Sequence, residues 1–286
     1  MIWLIYALIS VIAAGFQGII HRKVMLTEDP YSYALLENVL TALIFIPLLY
    51  TEFVLPSSKI AWLLVIFSSI MWVFIAIIGF YAYKYAEASV KAIISQSRVL
   101  FLFIFSVILL SETITIEKII GIFLIFCGLI ILTYKPKIKF GTLKDKGVQL
   151  TLIGALLSAF VAIIDKKSLD YFTPGTYGFL VYLIPALIFI IFGRKHYHDI
   201  KKILKTKKIY LITVVFLGFL FYYFQLKAYS LAEVSQVFPI TRLSALITVI
   251  GGIIFLRERK ELGKKIISTL IILIGAILLS GNYHLI

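Results

Sequence analysis

Among 286 residues there is one cysteine, Cys127, inside an apolar run from Ile122 to Leu132. A lone thiol excludes an intramolecular disulfide and a thiolate metal site. Charge is scarce as well, with Asp, Glu, Lys and Arg making only 15% of the chain. The four histidines are His21, His196, His198 and His284, and the closest pair has only Asp199 beside it, too few ligands for a zinc centre. No Gly-rich phosphate loop followed by Lys-Ser/Thr occurs, so direct drive by ATP is not indicated. The first residues, Met1-Ile2-Trp3-Leu4, carry no basic segment ahead of their apolar run, which fits a retained span better than a cleaved signal peptide. Connections are short, the longest running from Arg194 to Lys208, so no appended soluble domain is expected.

Apolar residues fill what remains. They make 62% of the chain against about 45–50% in soluble domains, and mean hydropathy is +1.05. A helix needs about 20 apolar residues to cross a bilayer, and runs of that kind lie at 2–20, 31–50, 60–82, 88–110, 116–134, 147–164, 174–193, 208–226, 232–256 and 262–282. The net charge of +14 sits between these runs and not on one folded surface, so it speaks for orientation in a membrane and against a nucleic-acid partner. Connections after odd-numbered spans, with the helix ends flanking them, hold 21 Lys and Arg against 5 after even-numbered ones. The positive-inside rule then puts the first set in the cytoplasm and both termini outside.

The chain also repeats itself. At one offset, 144 residues, Ile19-Ile20 align with Ile163-Ile164, Lys23 with Lys167, Pro30 with Pro174, Tyr33 with Tyr177, Tyr85 with Tyr229 and Arg98 with Arg242. A gapless register that includes Pro, Tyr, Lys and Arg speaks for duplication of a five-helix unit. Five is odd, so the second unit enters the membrane from the opposite side. The expected fold class is an all-α integral membrane protein, ten transmembrane helices as two inverted five-helix repeats, one over 1–138 and one over 147–286.

The first unit carries Tyr85-Ala86-Glu87-Ala88-Ser89-Val90, Ser95-Gln96-Ser97-Arg98, Leu110-Ser111-Glu112, Gly121 and Gly128; the second carries Tyr229-Ser230-Leu231-Ala232-Glu233-Val234, Pro239-Ile240-Thr241-Arg242, Arg257-Glu258 and Gly275. This pairing resembles the EamA-type transporters of the drug/metabolite transporter superfamily. The resemblance implies a secondary transporter of small metabolites in the cell membrane, and export as its direction. Many such proteins carry an Arg in the second helix where Glu37 stands here.

Arg98 and Arg242 stand ten residues into their spans, about 15 Å deep, where a charge must face a polar interior. They read either as fixed cations for a carboxylate or phosphate or as scaffold. Ser95 shares a helical face with Arg98, and Pro239 beside Arg242 opens a kink that suits a gate. Glu37, followed by Asn38, either carries a coupling proton or serves as counter-ion to Arg98 or Arg242; two buried cations and few buried acids favour the second. Gln17, Tyr222, Gln225 and Gln236 complete the candidate substrate-binding set. Glu112 and Glu258 read first as solvated loop acids. No catalytic residue, cofactor or metal is expected. The chain reads as a carrier of amino acids or related organic anions by alternating access, its partners a small-molecule substrate, the lipid bilayer and, through Glu37, protons. Sugar phosphates or nucleotide sugars form the alternative cargo, drug-type efflux another, and a membrane enzyme is the least supported.

Overall fold

The computed structural model describes residues 2–25, 28–85, 94, 97–133, 145–193, 197–244, 247 and 262–280. Backbone in hydrocarbon must satisfy its own N–H and C=O groups, and helices do so locally. The first half forms α1 (Ile2–Met25), α2 (Pro30–Glu52), α3 (Lys59–Tyr85), α4 (Ser97–Leu110) and α5 (Ile116–Thr133). The second half forms α6 (Lys146–Ser168), α7 (Pro174–Phe192), α8 (His198–Thr206), α9 (Lys208–Leu231), α10 (Val234–Thr241) and α11 (Leu262–Ser280). Among the described residues, α2, α3, α6, α7 and α9 are long and apolar enough to cross a membrane, and Ile2–Gln17 and Ser97–Leu110 are shorter apolar helices.

The repeat is visible in how helices start. Asp29 caps α2 by accepting from the Ser32 N–H at 2.8 Å, with Pro30 in the first turn; Thr173 caps α7 by accepting from the Thr176 N–H, with Pro174 in the first turn. A short polar cap followed by proline is favourable because proline forfeits a backbone donor that has no helical partner there.

Three boundaries differ from the sequence expectation. Helix α1 continues through His21, and α6 continues through Asp165-Lys166-Lys167 to Ser168, because His21, Asp165 and Lys166 find partners on other helices while Lys167 pairs with Asp170 at the surface. The connection after span 7 contains α8, whose Ile203 is buried while Lys201, Lys202 and Lys205 are exposed. Within the ninth expected span, α10 ends after eight residues at Thr241 with Arg242 as its cap, and the backbone is helical again at Ser244 and Ile247; Pro239 removes a helical N–H one turn earlier.

Helix contacts repeat under exchange of the halves. When α1 to α5 are matched with α6, α7, α9, α10 and α11, the α1–α9 contact becomes α6–α3, α4–α6 becomes α10–α1, and α3–α7 becomes α9–α2. The α2–α7 and α5–α11 contacts map onto themselves, and all of these are present. The helix ends fix direction. Trp3 of α1, Lys118 of α5, Leu231 of α9 and Leu278 of α11 line one cleft, and at the same end Glu52 of α2 meets Gly175 of α7 while Lys166 of α6 reaches the Ala232 carbonyl. At the opposite end Val24, Tyr33, Leu211 and Ile203 of α8 pack together. Seen from this α8 end, α1 and α5 start at the far end where α6 and α11 finish, and α2 finishes there where α7 starts. These counterparts run in opposite directions.

Outward stripes are apolar: Ile2, Ile5, Leu8, Ile12 and Phe16 on α1, and Ile60, Leu63, Phe67, Ile70 and Phe74 on α3. Spacings of three and four keep each set on one face, the face a lipid environment would cover. Inside, α5 and α11 approach closely, and a Cβ at Gly275 would lie 2.7 Å from the Gly121 carbonyl oxygen and 2.9 Å from the Ile125 side chain. Small residues permit such contact where burial alone gives no driving force. Gly275→Val is therefore expected to cost about 1–3 kcal/mol, read as a lower thermal midpoint of the purified protein. Gly263→Ala, where a Cβ meets nothing within 4 Å, should hold or raise the midpoint; equal midpoints for the two variants would contradict this packing.

Candidate functional site

The broken end of α10 lies eight residues beyond Val234, about 12 Å along the axis. There the Arg242 N–H donates to the Phe238 and Pro239 carbonyls, and the Leu243 N–H to the Ile240 carbonyl at 2.9 Å, tightening the chain into a turn. The Arg242 guanidinium lies over the Phe238 ring at 4.2 Å from its centroid, a cation–π contact, with Nε buried. Tyr229 lies in the electrostatic field of Arg242, and its hydroxyl accepts from Gln225 Nε2 at 2.8 Å. Tyr222 meets Trp72 and Tyr182 edge-on at 6.2 and 5.6 Å between centroids. Trp72 Nε1, Gln225 Oε1 and Ser235 Oγ are buried with no hydrogen-bond partner among the described residues. Groups of this kind cost energy until something pairs with them; Gln225 reaches toward Arg242 through Tyr229, and Ser235 shares α10 with it. Arg98 occupies the first turn of α4 with its Nε buried.

Glu37 does not partner either arginine among the described residues. His21 Nε2 faces both Glu37 oxygens, at 3.1 and 3.0 Å, and Gln17 Nε2 donates to Glu37 Oε1 at 3.0 Å. Gly218 on α9 makes room, since a Cβ there would fall 2.7 Å from Gln17 Nε2. In place of the expected arginine, Glu37 faces His21. The pair is half open, His21 and Glu37 side chains being 35% and 16% exposed, and it lies toward the α8 end.

The far end is stitched by two acids of the first half that cap helices of the second. Glu52 accepts from the Gly175 N–H at 2.8 Å at the start of α7, from Lys227 at 2.8 Å and from the Tyr223 hydroxyl at 2.7 Å; its carbonyl accepts from the Thr176 hydroxyl at 2.6 Å. Glu112 accepts from the Val234 and Ser235 N–H groups at 2.7 and 3.1 Å at the start of α10. A carboxylate on unsatisfied N–H groups at the positive end of a helix dipole is favourable twice over. Glu112 is therefore a cap between the halves and not a solvated loop acid. Its neighbour Ser111 holds a left-handed conformation, φ 54°, an unfavourable state for a residue with a Cβ that turns the chain between α4 and α5. Lys118 pairs with Glu233 beside it in a cleft of about 600 Å³ that Gln236 also lines.

A second buried acid escaped the sequence reading. Asp165 Oδ1 accepts from the Ser68 and Tyr177 hydroxyls at 2.9 and 2.7 Å, and Oδ2 from the Tyr222 hydroxyl at 3.1 Å. Asp165 is 1% exposed, and Ser68, Tyr177 and Tyr222 are at most 2%. Asp165 and His21 are separated by the repeat offset, as are Tyr177 and Tyr33, and Tyr33 packs edge-on to His21 at 5.7 Å. That equivalence was the available signal. It was hidden because both residues fall one position beyond an expected span.

Of the expected substrate-binding residues, Gln17 and Glu37 come together, and Tyr222, Gln225, Pro239 and Arg242 gather along α9 and α10. Asn38 instead donates to the Ala34 carbonyl of its own helix at 2.7 Å, and Gln236 faces the far-end cleft. Ser95 and Glu258 lie outside the described residues.

The sequence profile of the EamA-like transporter family matches residues 1–134 and again residues 145–281. No curated protein sequence matches the chain. A solved structure described only as a crystal structure of a protein is 12% identical and superposes with a TM-score of 0.76, covering 96% of this chain and 94% of that one; it is a likeness of fold alone.

The Glu37 cluster makes a direct prediction. In a double-mutant cycle of His21→Ala and Glu37→Gln, stability should be non-additive by about 0.5–3 kcal/mol. Additive losses would mean that the two side chains do not interact.

Proposed function

Because the chain belongs to the EamA-like transporter family, we propose that this multi-pass membrane protein is a secondary transporter of ten spans, built as inverted five-helix repeats over 1–138 and 147–286. It moves amino acids or related organic anions by alternating access, outward across the cell membrane. The observation that carries the reading is the broken α10: an arginine with its Nε buried at the helix end, its guanidinium on the Phe238 ring and within the field of Tyr229, and buried polar atoms without partners on α9 and α10 at Gln225 and Ser235. A planar guanidinium in a dry setting favours an anion with two oxygens to offer. The opposite directions of equivalent helices and the interchangeable contacts support an inverted pair, in which substrate binds near the midplane and the halves rock around it. With both termini placed outside, the far end stitched by Glu52 and Glu112 is the extracellular side, and the half-open His21–Glu37 end is cytoplasmic. Phosphate matches a guanidinium as well as carboxylate does, so sugar phosphates are the second reading.

The test is ligand-induced stabilisation of the detergent-purified protein by amino acids, dicarboxylates and hexose phosphates. A ligand that binds only the folded state at a hundred times its Kd adds about 2.7 kcal/mol. A carboxylate compound is expected to raise the midpoint in wild type and not in Arg242→Ala or Arg98→Ala. Stabilisation by hexose phosphate alone would favour the second reading. Stabilisation by neutral or cationic amphiphiles alone would make the arginines scaffold and overturn an anion carrier. Reporter fusions should place the α8 connection in the cytoplasm; an external signal there would reverse the orientation.

A further inference from the structure

Asp165 touches the proposed anion site only through the Tyr222 hydroxyl, and it is the most fully enclosed carboxyl described, 1% exposed inside a helix apolar enough to span a membrane. Its surroundings can be enumerated. From α3 comes the Ser68 hydroxyl, from α7 the Tyr177 hydroxyl and from α9 the Tyr222 hydroxyl; Tyr229, also of α9, lies within its field. On its own helix Lys166 is turned away, donating to the Tyr229 and Ala232 carbonyls, and Lys167 pairs with Asp170 at 3.1 Å. Lys227 of α9 is held by Glu52 at 2.8 Å, and Arg242 of α10 lies on Phe238. Among the described residues no cation reaches the Asp165 carboxyl. A carboxylate sealed from water without a cation is costly, and taking up a proton removes that cost.

The equivalent position in the other half differs in the one respect that matters. His21 meets a carboxylate, Glu37, so that pair can balance charge within itself. Asp165 has only hydroxyls, which can donate to a carboxylate or accept from a carboxylic acid. They come from three helices, and one of these, α3, belongs to the other half. Parting the halves at the far end would strip the Ser68 hydroxyl from the carboxyl and admit water.

We propose that Asp165 is a proton-binding site whose occupancy is tied to closure of the far end: closed, the carboxyl holds a proton; open, it releases that proton to water and regains one from water before closing. The inference rests on the transport reading, since it makes each opening of the far end exchange one proton with the water there. It predicts that a carboxylic acid inside the bundle, and not the exposed acids, titrates with conformation.

The test is infrared difference spectroscopy of the full-length protein in lipid bilayers as pH is raised through neutrality. A protonated-carboxyl C=O band should disappear with rising pH in wild type, be absent from Asp165→Asn and persist in Glu117→Gln, whose carboxyl is exposed. Should Asp165→Asn fail to fold, Tyr177→Phe and Tyr222→Phe supply the readout. Each removes a donor that favours the ionised form, so the band should persist to higher pH by about one unit. An unchanged band in Asp165→Asn, or a titration unmoved in both phenylalanine variants, overturns the proposal. Failure of the transport reading shows itself separately, as absence of flux of any tested anion from wild-type proteoliposomes with the band intact.

Discussion

A polar group in hydrocarbon has no water to fall back on, and that scarcity of partners organises this molecule. Its charged side chains are few, and where they enter the bundle they meet hydroxyls, helix ends and one another between the halves. Glu52 and Glu112 settle on helix N-termini, Lys166 on the carbonyls that end α9, Glu37 on His21 and Gln17, and Asp165 on three hydroxyls. Each of these contacts doubles as a joint, since the paired side chains come from different helices. Polar contacts of this sort are also the ones a small change of conformation can exchange for water, which apolar packing does not offer.

Duplication gave both halves the same framework and left the two ends chemically different. The exchange-symmetric helix contacts and the paired cap-proline starts at Asp29-Pro30 and Thr173-Pro174 preserve the common unit. The positions that titrate have diverged: a histidine with its own carboxylate toward α8, an aspartate among tyrosines toward the far end. In the described conformation the far end is stitched by caps that cross between halves, while the His21–Glu37 end is partly exposed. An inverted pair can interconvert two such conformations by letting each half adopt the shape of the other, and the different chemistry of the ends then gives each conformation its own protonation.

Much of this was legible in the sequence. Apolar runs fixed the helices because only helices and closed barrels satisfy backbone in lipid, and the 144-residue register fixed which helices correspond. Arg242, Pro239, Tyr222 and Gln225 stand out in the sequence because each is a polar group or a kink in an apolar run; Arg242 and Pro239 lie at the break after α10, and Tyr222 and Gln225 lie on the neighbouring α9. Partners are less legible. Counting charge favours an arginine over a proton for Glu37 because a count carries no distance, and His21 lies one residue outside an expected span. Asp165 was lost the same way: a hydropathy window ends a helix at a charge, whereas three hydroxyls from helices distant in sequence let this helix continue through it. Glu112 read as a loop acid because the N–H groups it caps belong to Val234 and Ser235, more than a hundred residues away.

Whether the far end opens is the question on which the mechanism turns, and the distance between its two halves answers it. Spin labels at Ser57, after α2, and Ser230, at the end of α9, both exposed, would report it in a Cys127→Ser background by pulsed dipolar spectroscopy in lipid. Alternating access predicts two separations, with the wider one gaining population as pH rises. A single narrow separation, indifferent to pH and to bound anion, would contradict it and leave the far end a permanent seal.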